Sequence, residues 1–310
     1  MTPGDHSTNA KILVTMYSVA MFERVRASLR AHGDRKIVPL SLADLPAIAP
    51  RDWAFYNTEL TEAITANPHL AWRVEGTSEY VIGGHWRRRH EIGSVEELHA
   101  RTSRSQLLAH LVQRLRDEGA SLVVLGPTEQ ERNLSFYLTE DFRVVDEIVR
   151  YQRLGTDAGC AQPTVAIRPL LPDDRPALLA VDHAAFPWLW WNSEAEFDWY
   201  LGLPGVEAHV VTIAEQLVGY ASFTIAGRQG HLDRLAVAPA EQGAGIGRAL
   251  VCHTLARMAL RRVERVALTT QVDNRRSAGL YRMLGFTRTA LHYPIYGKWL
   301  SDPSQDSPRC

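Results

Sequence analysis

An α+β sandwich, in which helices pack on a mixed and mostly antiparallel sheet, is the fold class that the sequence predicts. The second half of the 310-residue chain begins with strands and then alternates helices with strands, an order typical of α+β domains. The first half repeats this order. In both halves a Tyr precedes a Phe by five residues, as Tyr137/Phe142 and Tyr281/Phe286. We therefore expect an internal duplication that produces two tandem domains.

Composition along the chain sets the expected domain boundaries. Residues 1–10 and 301–310 are rich in small and polar residues, and we expect both segments to be disordered tails. Residues 156–163 have no hydrophobic period, which predicts a linker. The two domains are then expected at 11–155 and 164–300.

Hydrophobic periodicity predicts the elements of the second domain in order. Acidic residues near position 173 indicate the start of its first helix, and Ser193 has a side chain suited to cap the second. Helices are predicted at 173–184, 193–201, 247–262 and 275–284. Strands are predicted at 165–170, 208–213, 217–225, 231–237 and 265–272, and one or two more within 288–300.

The first domain shows the same kinds of element. Residues 105–116 have the spacing of an amphipathic helix, residues 122–125 form an apolar run typical of a buried strand, and residues 131–139 predict a further helix. The opening Ile37-Val-Pro-Leu resembles Ile167-Arg-Pro-Leu in pattern. This parallel supports the duplication.

Charge and residue usage argue against several classes of protein. The 34 basic and 35 acidic residues give a net charge of −1, so we expect no nucleic-acid partner. The sequence has no Cys-x-x-Cys pair, and its histidines lack metal-ligand spacing, so we expect no metal. The amino terminus lacks a signal-like apolar segment, and no apolar run approaches the roughly 20 residues that span a bilayer. We expect a cytoplasmic protein without a membrane partner.

A glycine-rich segment carries the clearest chemical signal. Gln242-Gly-Ala-Gly-Ile-Gly247 follows a strand that ends at Val237 and leads into a helix. Glycines allow backbone N–H groups to converge on one anion, and a helix N-terminus favours negative charge, so the segment predicts a phosphate or pyrophosphate site. Its spacing differs from the G-x-G-x-x-G of dinucleotide-binding turns, and it lacks the Gly-Lys-Ser/Thr of a P-loop. A glycine-rich helix start without a ligand is the remaining alternative.

This segment resembles the signature of the Gcn5-related N-acetyltransferase (GNAT) family, Arg/Gln-x-x-Gly-x-Gly/Ala after a strand. Gln242, Gly245 and Gly247 occupy its positions. A second block, from Asn274 through Tyr281 to Leu-Gly-Phe286, resembles the Asn…Tyr…Leu-Gly-Phe pattern of the same family. The resemblance covers residues 163–300 and implies tandem GNAT-like domains that use acetyl-CoA as acyl donor.

The resemblance also implies which residues contact acetyl-CoA. The strand end would pair with the pantetheine arm, the loop amides would hold the pyrophosphate, and an asparagine would lie along the ligand. The implied residues are Leu235, Ala236, Val237, Gln242, Gly243, Ala244, Gly245, Ile246, Gly247, Arg248 and Asn274. The first domain has no glycine loop at 94–106, so we interpret it as a degenerate copy.

By the same resemblance, Tyr281 is the candidate acid that protonates the leaving thiolate of CoA. A buried tyrosine that only packs beside Leu280 and Leu284 is the alternative role. Tyr293 and Tyr296, on the closing strands, are rival candidates for the acid.

His231 and Asp233 are the candidate base for the acceptor amine. They are two apart on a strand and therefore share a face with Leu235. The alternative is that His231 only begins the strand while Asp233 pairs with Arg234 or Arg228. The backbone N–H of Val237 is the candidate oxyanion donor.

The segment Phe186-Pro-Trp-Leu-Trp-Trp lies where the family places acceptor-binding helices. Three tryptophans in four residues are not expected to share one core, so we expect Trp188, Trp190 and Trp191 to contribute to the acceptor cleft. The basic run Trp86-Arg-Arg-Arg-His90 is interpreted as a solvated face or hairpin edge.

The sequence thus predicts an N-acetyltransferase in which an amine attacks acetyl-CoA directly. The acceptor would be a small-molecule or peptide amine, and the first domain would complete its cleft or support a homodimer. Alternatives are a mycothiol-synthase-like or longer-chain acyltransferase, and a non-catalytic acyl-CoA-binding sensor.

Overall fold

The computed structural model describes residues 36–48, 57–157, 159 and 165–301. The tail predicted at 1–10 lies outside the described residues, as does the tail at 301–310 except for Ser301. The linker predicted at 156–163 is described only at 156, 157 and 159.

The first half of the chain follows the predicted order of elements. The strand at 122–125 has the predicted bounds, and the helix predicted at 131–139 begins earlier because Pro127 is tolerated in a first helical turn. Its strands are β1 (Ile37–Pro39), β2 (Ala71–Val74), β3 (Tyr80–His85), β4 (Ile92–His99), β5 (Leu122–Leu125) and β6 (Arg143–Leu154). Its helices are α1 (Leu45–Ile48), α2 (Asn57–Ala66), α3 (Arg104–Asp117) and α4 (Pro127–Thr139).

The second half also follows the prediction, and its closing segment is one long strand. Ser193 Oγ accepts a hydrogen bond from Glu196 N at 3.0 Å, which confirms the predicted N-cap. The strands are β7 (Ile167–Pro169), β8 (Val206–Ile213), β9 (Gln216–Ala226), β10 (Gln229–Val237), β11 (Arg265–Gln271) and β12 (Thr287–Trp299). The helices are α5 (Arg175–Ala185), α6 (Glu194–Leu201), α7 (Ile246–Leu260) and α8 (Arg275–Met283).

The described chain forms two compact units. The first runs up to Gly83 and includes Glu96–Arg114, and the second comprises Gly84–Val95 and everything from Leu115 onward. The second unit therefore contains segments that the predicted boundary near residue 155 assigns to the first domain. In the described part of the chain, no helix is long and apolar enough to cross a membrane.

Each unit is built on strand pairing. In the first unit, β1, β2 and β3 are antiparallel neighbours. In the second unit, the beginning of β4 is followed across the sheet by β5, β12, β6, β11, β10, β9, β8 and β7. Only the β4–β5 and β10–β11 pairs in that unit are parallel. The sheet is mixed and mostly antiparallel, as predicted.

The last strands of the two halves are exchanged. β6, from the first half, pairs with β11 from Arg265↔Leu154 to Gln271↔Ile148. β12, from the second half, pairs with β5 at Gly297↔Val124 and also with β6. The last strand of each half therefore pairs with the fifth strand of the other half.

The duplicated Tyr and Phe make the same contacts in both halves. Phe142 N donates to Tyr137 O at 3.1 Å, and Phe286 N donates to Tyr281 O at 3.0 Å. The rings of each pair meet edge to face, with centroids 5.2 and 5.9 Å apart. The two helix ends are therefore structural repeats.

Candidate active site

Two neighbouring strands part near the middle of the sheet in the second unit. β10 and β11 are paired only up to Leu232 and Leu268. A bulge in the β9–β10 ladder at this point leaves Asp233 out of register. Beyond it, residues 232–237 and 269–271 line a cavity of about 920 Å³. The sheet thereby opens a cleft that has the backbone of β10 along one wall.

The end of β10 turns backbone donors toward this cleft. Ala238 N donates to Val218 O, on the neighbouring strand β9, at 2.8 Å. Since successive N–H groups of a strand point to opposite edges, the N–H groups of Leu235 and Val237 face the cleft. Val237 O, on the same edge, accepts from Gln242 Nε2 at 2.9 Å. An extended amide-containing ligand can pair with this edge.

The glycine loop leads from β10 into α7. Gly243 and Gly245 have φ of 93° and 84°, and Gly245 is the N-cap of the helix. A side chain at either position would meet open space but would strain this left-handed backbone. Ile246 turns its side chain into the core, and Ala244 does not line the cavity. The loop residues that do line it are Gln242, Gly243, Gly245, Gly247 and Arg248.

Cationic side chains and a cap surround the loop. Arg275 and Arg276 line the cavity beside Arg248, and Arg276 Nη1 donates to Gln242 Oε1. Asn274 also lines it and caps α8, with Oδ1 accepting from Ser277 N at 3.0 Å. The two arginines were not among the predicted residues, although their place after Asn274 at a helix start was a usable signal. Together these groups favour a polyanionic ligand.

Tyr281 lies both in the core and on the cavity wall. It is 5% exposed, packs with Leu284 and Leu280, and is a lining residue. Burial raises the pKa of its hydroxyl above the ordinary value, and a hydrogen bond from Ser277 lowers it only in part. The hydroxyl therefore stays protonated at neutral pH. Neither Tyr293 nor Tyr296 is among the residues that line the cavity.

Asp233 joins three hydrogen-bonding side chains. Its Oδ1 is 2.7 Å from His231 Nδ1, and its Oδ2 accepts from Tyr200 Oη at 2.6 Å and from Thr224 Oγ1 at 2.7 Å. Burial, followed by the charge of Asp233, raises the pKa of Tyr200, so Tyr200 remains a donor. A carboxylate on Nδ1 favours the tautomer in which Nε2 of His231 can accept a proton.

The ion pairs offered as alternatives for Asp233 are wrong. Arg234 pairs instead with Asp182 at 2.5 Å, and Arg228 pairs with Glu264 at 2.5 Å. His231 also does more than begin the strand, since β10 starts at Gln229.

The three tryptophans are placed differently from one another. Trp190 lines the cavity, whereas Trp188 and Trp191 do not. Trp188 stacks on Trp299 with centroids 5.8 Å apart, and Trp191 stacks on His183 at 4.6 Å. The expectation that they could not share one core is wrong, because Trp188 and Trp190 are buried in one cluster against which Trp191 packs.

A buried ion pair fixes the segment that carries these tryptophans, and sequence reasoning missed it. Asp182 is fully buried and accepts from Arg234, from Tyr220 Oη and, at 3.0 Å, from Asn192 N. Arg234 Nη2 also donates to Trp190 O at 3.0 Å. Because Asp182 and Arg234 lie 52 positions apart, their pairing had no local signal.

The first half holds an anion of its own at the matching helix start. Before α3, the carboxylate of buried Glu79 accepts from the backbone N–H groups of Arg101 (2.9 Å), Thr102 (2.7 Å) and Ser103 (3.0 Å). Burial alone would raise the pKa of Glu79, but hydrogen bonds from the Ser103 side chain, from the backbone N–H groups of Thr102 and Arg101 and from the Thr102 side chain lower it to about 2. The amides that a phosphate would use are thus already occupied.

Comparison with known proteins points to one family. Residues 167–286 match the model of the acetyltransferase (GNAT) family. Over 162 residues the chain is 35% identical to the mycothiol acetyltransferase of Kineococcus radiotolerans. This match covers 46% of the chain and 51% of that protein, so the chain spans about half the length of this curated relative.

Solved structures share the architecture at low identity. A GCN5-related N-acetyltransferase from Kribbella flavida has a TM-score of 0.64 and 12% identity, over 86% of this chain and 71% of that chain. A tandem GNAT protein from the clavulanic acid biosynthesis pathway has a TM-score of 0.55 and 14% identity, over 87% and 99%. These likenesses show the fold. Residues 167–286 are therefore similar to the acetyltransferase (GNAT) family, and the chain shares the fold of the tandem GNAT structure.

Proposed function

We propose that the protein transfers the acetyl group of acetyl-CoA to an amine of a small molecule or peptide. The observation that supports this best is the single cavity that joins the glycine loop, the freed edge of β10, Tyr281 and Asp233. A pyrophosphate site, a thioester channel and acid–base groups are the parts that direct acyl transfer requires.

The donor would lie along the opened edge of β10. Backbone N–H groups from 242 to 248 would hold the pyrophosphate at the start of α7, with Arg248, Arg275 and Arg276 adding positive charge. The backbone of residues 235–237 would pair with the pantetheine amides, and Asn274 would lie beside the arm.

The acetyl transfer would proceed by direct attack. His231, which contacts Asp233 but does not itself line the cavity, would accept a proton from the acceptor ammonium through water and release it to solvent. The amine nitrogen would then form a bond to the thioester carbonyl, whose developing oxyanion would accept from Val237 N–H. As the C–S bond breaks, Tyr281 Oη would protonate the thiolate and be reprotonated from solvent. The second proton of the amine would leave through the same base.

One specific observation favours a second candidate for the acceptor. The 35% identity to a mycothiol acetyltransferase supports an acceptor whose amine belongs to a thiol precursor. The chemistry at the thioester would be the same, so the two candidates differ only in the acceptor.

We also propose that each chain binds one donor. Glu79 fills the matching amide site before α3, so the first half would not bind pyrophosphate. In this proposal the first half is a degenerate copy that supports the active one.

The test is release of CoA thiol from acetyl-CoA in the presence of a panel of amines. The proposal expects amine-dependent release by the wild type, and a loss of about 100-fold in kcat/KM for His231→Ala. Tight acetyl-CoA binding without release for any amine, thiol-precursor amines included, would instead support the acyl-CoA sensor.

A further inference from the structure

A three-arginine turn between β3 and β4 contains one arginine that differs from its neighbours. Arg88 pairs with Glu196 at 3.0 Å, and Arg89 lies 3.6 Å from Glu91. Arg87 has no carboxylate partner among the described residues. Its Nη1 donates to the neutral side chain of Asn192 at 2.5 Å, and its Nε is buried without a hydrogen bond. The run lies in the turn between two neighbouring strands, as the hairpin-edge alternative expected, whereas the solvated-face alternative is wrong for Arg87.

The protein holds Arg87 in place firmly. Its backbone is left-handed, with φ of 53°, an unfavourable conformation for a residue other than glycine. Ser193 Oγ donates to Arg87 O at 3.0 Å, and Trp86 Nε1 donates to Leu189 O at 2.8 Å. These bonds fasten the turn to the segment that carries Trp190.

Arg87 lies on the wall of the candidate active-site cavity. Arg87 is one of the lining residues, together with Trp190 and Asp233, and its guanidinium carbon lies 5.1 Å from the centroid of the Trp190 ring. Burial, followed by the nearby charge of Arg234, lowers the pKa of Arg87 to about 9, so it is still cationic at neutral pH. The carboxylates of Glu196 and Asp182 are near enough to raise the pKa of Arg87 in part, but they pair with Arg88 and Arg234, so Arg87 forms no ion pair of its own among the described residues.

A half-buried guanidinium that forms no ion pair carries a desolvation cost, and Arg87 is nevertheless held on the cavity wall. The groups around it also distinguish its task from donor binding. Arg87 contacts Trp190 and Asn192, whereas the glycine loop, Arg275 and Arg276 form the phosphate-binding wall. A guanidinium binds a carboxylate or a phosphate in a bidentate geometry. Because we propose that the donor phosphates lie at the glycine loop, a carboxylate is the group left for Arg87.

We propose that Arg87 binds a carboxylate of the acceptor, so that the preferred substrates are amines that also carry a carboxyl group. This inference rests on the proposed acetyl transfer, because the carboxylate belongs to the amine substrate of that reaction. Arg87 would fix the carboxylate beside Trp190 while the amine of the same molecule approaches the thioester.

The test compares matched acceptors and matched variants. CoA thiol release is measured with amino acids and with their carboxamides, which lack the carboxylate, and kcat/KM is expressed per free amine because the two amines differ in pKa. Wild type is expected to show a kcat/KM at least 10-fold higher for amino acids than for carboxamides. Arg87→Gln should remove this preference through KM, and Arg87→Lys should restore part of it. The control is Arg88→Gln, which removes the same charge from the adjacent residue and should keep the preference.

A binding measurement separates failure of this inference from failure of the proposed function. The CoA-loaded protein is titrated with N-acetyl amino acids and with their carboxamides, followed by tryptophan fluorescence. Tighter binding of the carboxylates by wild type and not by Arg87→Gln would support the inference even if no amine were acetylated. Equal binding of both forms by wild type, or a preference that survives in Arg87→Gln, would overturn it. Loss of acetyl-CoA affinity in Arg87→Gln would also overturn it, because Arg87 would then serve the donor.

Discussion

The helices α3 and α7 each follow a strand and precede the parallel neighbour of that strand, but the backbone N–H groups at their starts have different surroundings. Before α7, Gly243 and Gly245 shape a loop that lines a cavity. Before α3, the carboxylate of Glu79 accepts from three consecutive backbone N–H groups. Unpaired N–H groups at a helix start favour negative charge. The turn before α3 has a side chain of the protein in that place, and we propose that the loop before α7 binds the pyrophosphate of the donor there.

If the first half is a degenerate copy, as we propose, this difference explains how it would keep its fold without a ligand. The carboxylate of Glu79 accepts from the backbone N–H groups before α3, so this helix start needs no bound phosphate. The residues of that turn are Arg101, Thr102 and Ser103, and none of them is a glycine.

The largest expected effect comes from copying the Glu79 arrangement into the second half. Gly245→Glu places a carboxylate in the proposed pyrophosphate loop and strains its left-handed backbone. We expect acetyl-CoA to bind about 1000-fold more weakly, roughly 4 kcal/mol, measured by isothermal titration. Gly227→Glu is the control, since Gly227 also has a positive φ and open space around it but lies in the β9–β10 turn. Equal losses in both variants would refute the loop as the binding site.

The two repeated tyrosines provide the next comparison. Tyr281→Phe should lower kcat about 100-fold without changing acetyl-CoA affinity, because it removes the proposed acid. Tyr137→Phe should leave kcat unchanged and instead lower stability by about 1–2 kcal/mol, since Tyr137 Oη donates to buried Glu129 at 2.7 Å. Initial rates and urea unfolding of both variants test this. Unchanged kcat in Tyr281→Phe would leave Tyr281 with a packing role only.

Glu79 should make a pH-dependent contribution to stability. Its pKa falls from 4.5 to about 2 on folding, so the contribution is present above pH 4.5 and is lost as the pH falls toward 2. We expect Glu79→Gln to be about 2 kcal/mol less stable than wild type at pH 7. The difference should shrink across this acidic window in urea titrations. A difference in stability that does not change with pH would contradict the conclusion that the ionised carboxylate of Glu79 is the stabilising form.

The smallest effect is expected at the start of α8, where Asn274 caps the helix and its counterpart α4 begins after Gly126. Asn274→Ala should cost about 1 kcal/mol of stability and weaken acetyl-CoA binding only a few-fold. Asn274→Asp, which can still cap, should recover most of the stability in the same urea titration. If both variants unfold at the wild-type midpoint, the cap contributes nothing measurable.

Much of the fold and part of the candidate site could be predicted from short stretches of the sequence. The spacing of apolar residues predicted the strands and helices to within a few residues. Ser193 indicated the start of α6 because an N-cap residue binds backbone N–H groups only a few positions away. The glycine loop was visible for the same reason, since its chemistry lies within six consecutive residues.

Features that depend on distant partners were not predictable in this way. β6 and β12 are both long strands at the end of a repeat. The sequence of neither segment indicates whether it pairs with β5 or with β11. Glu79 lies 22 positions before the amides it occupies. Arg87 looked like part of an ordinary basic run, because its burial depends on Trp190 and Asn192 from the other half of the chain.

The stoichiometry of acetyl-CoA binding tests the central claim most directly. Isothermal titration of the wild-type protein should give one equivalent per chain, because the loop before α7 is open and the turn before α3 holds Glu79. Two equivalents per chain would contradict the proposal that the first half does not bind acetyl-CoA. No binding would contradict the proposed donor site itself.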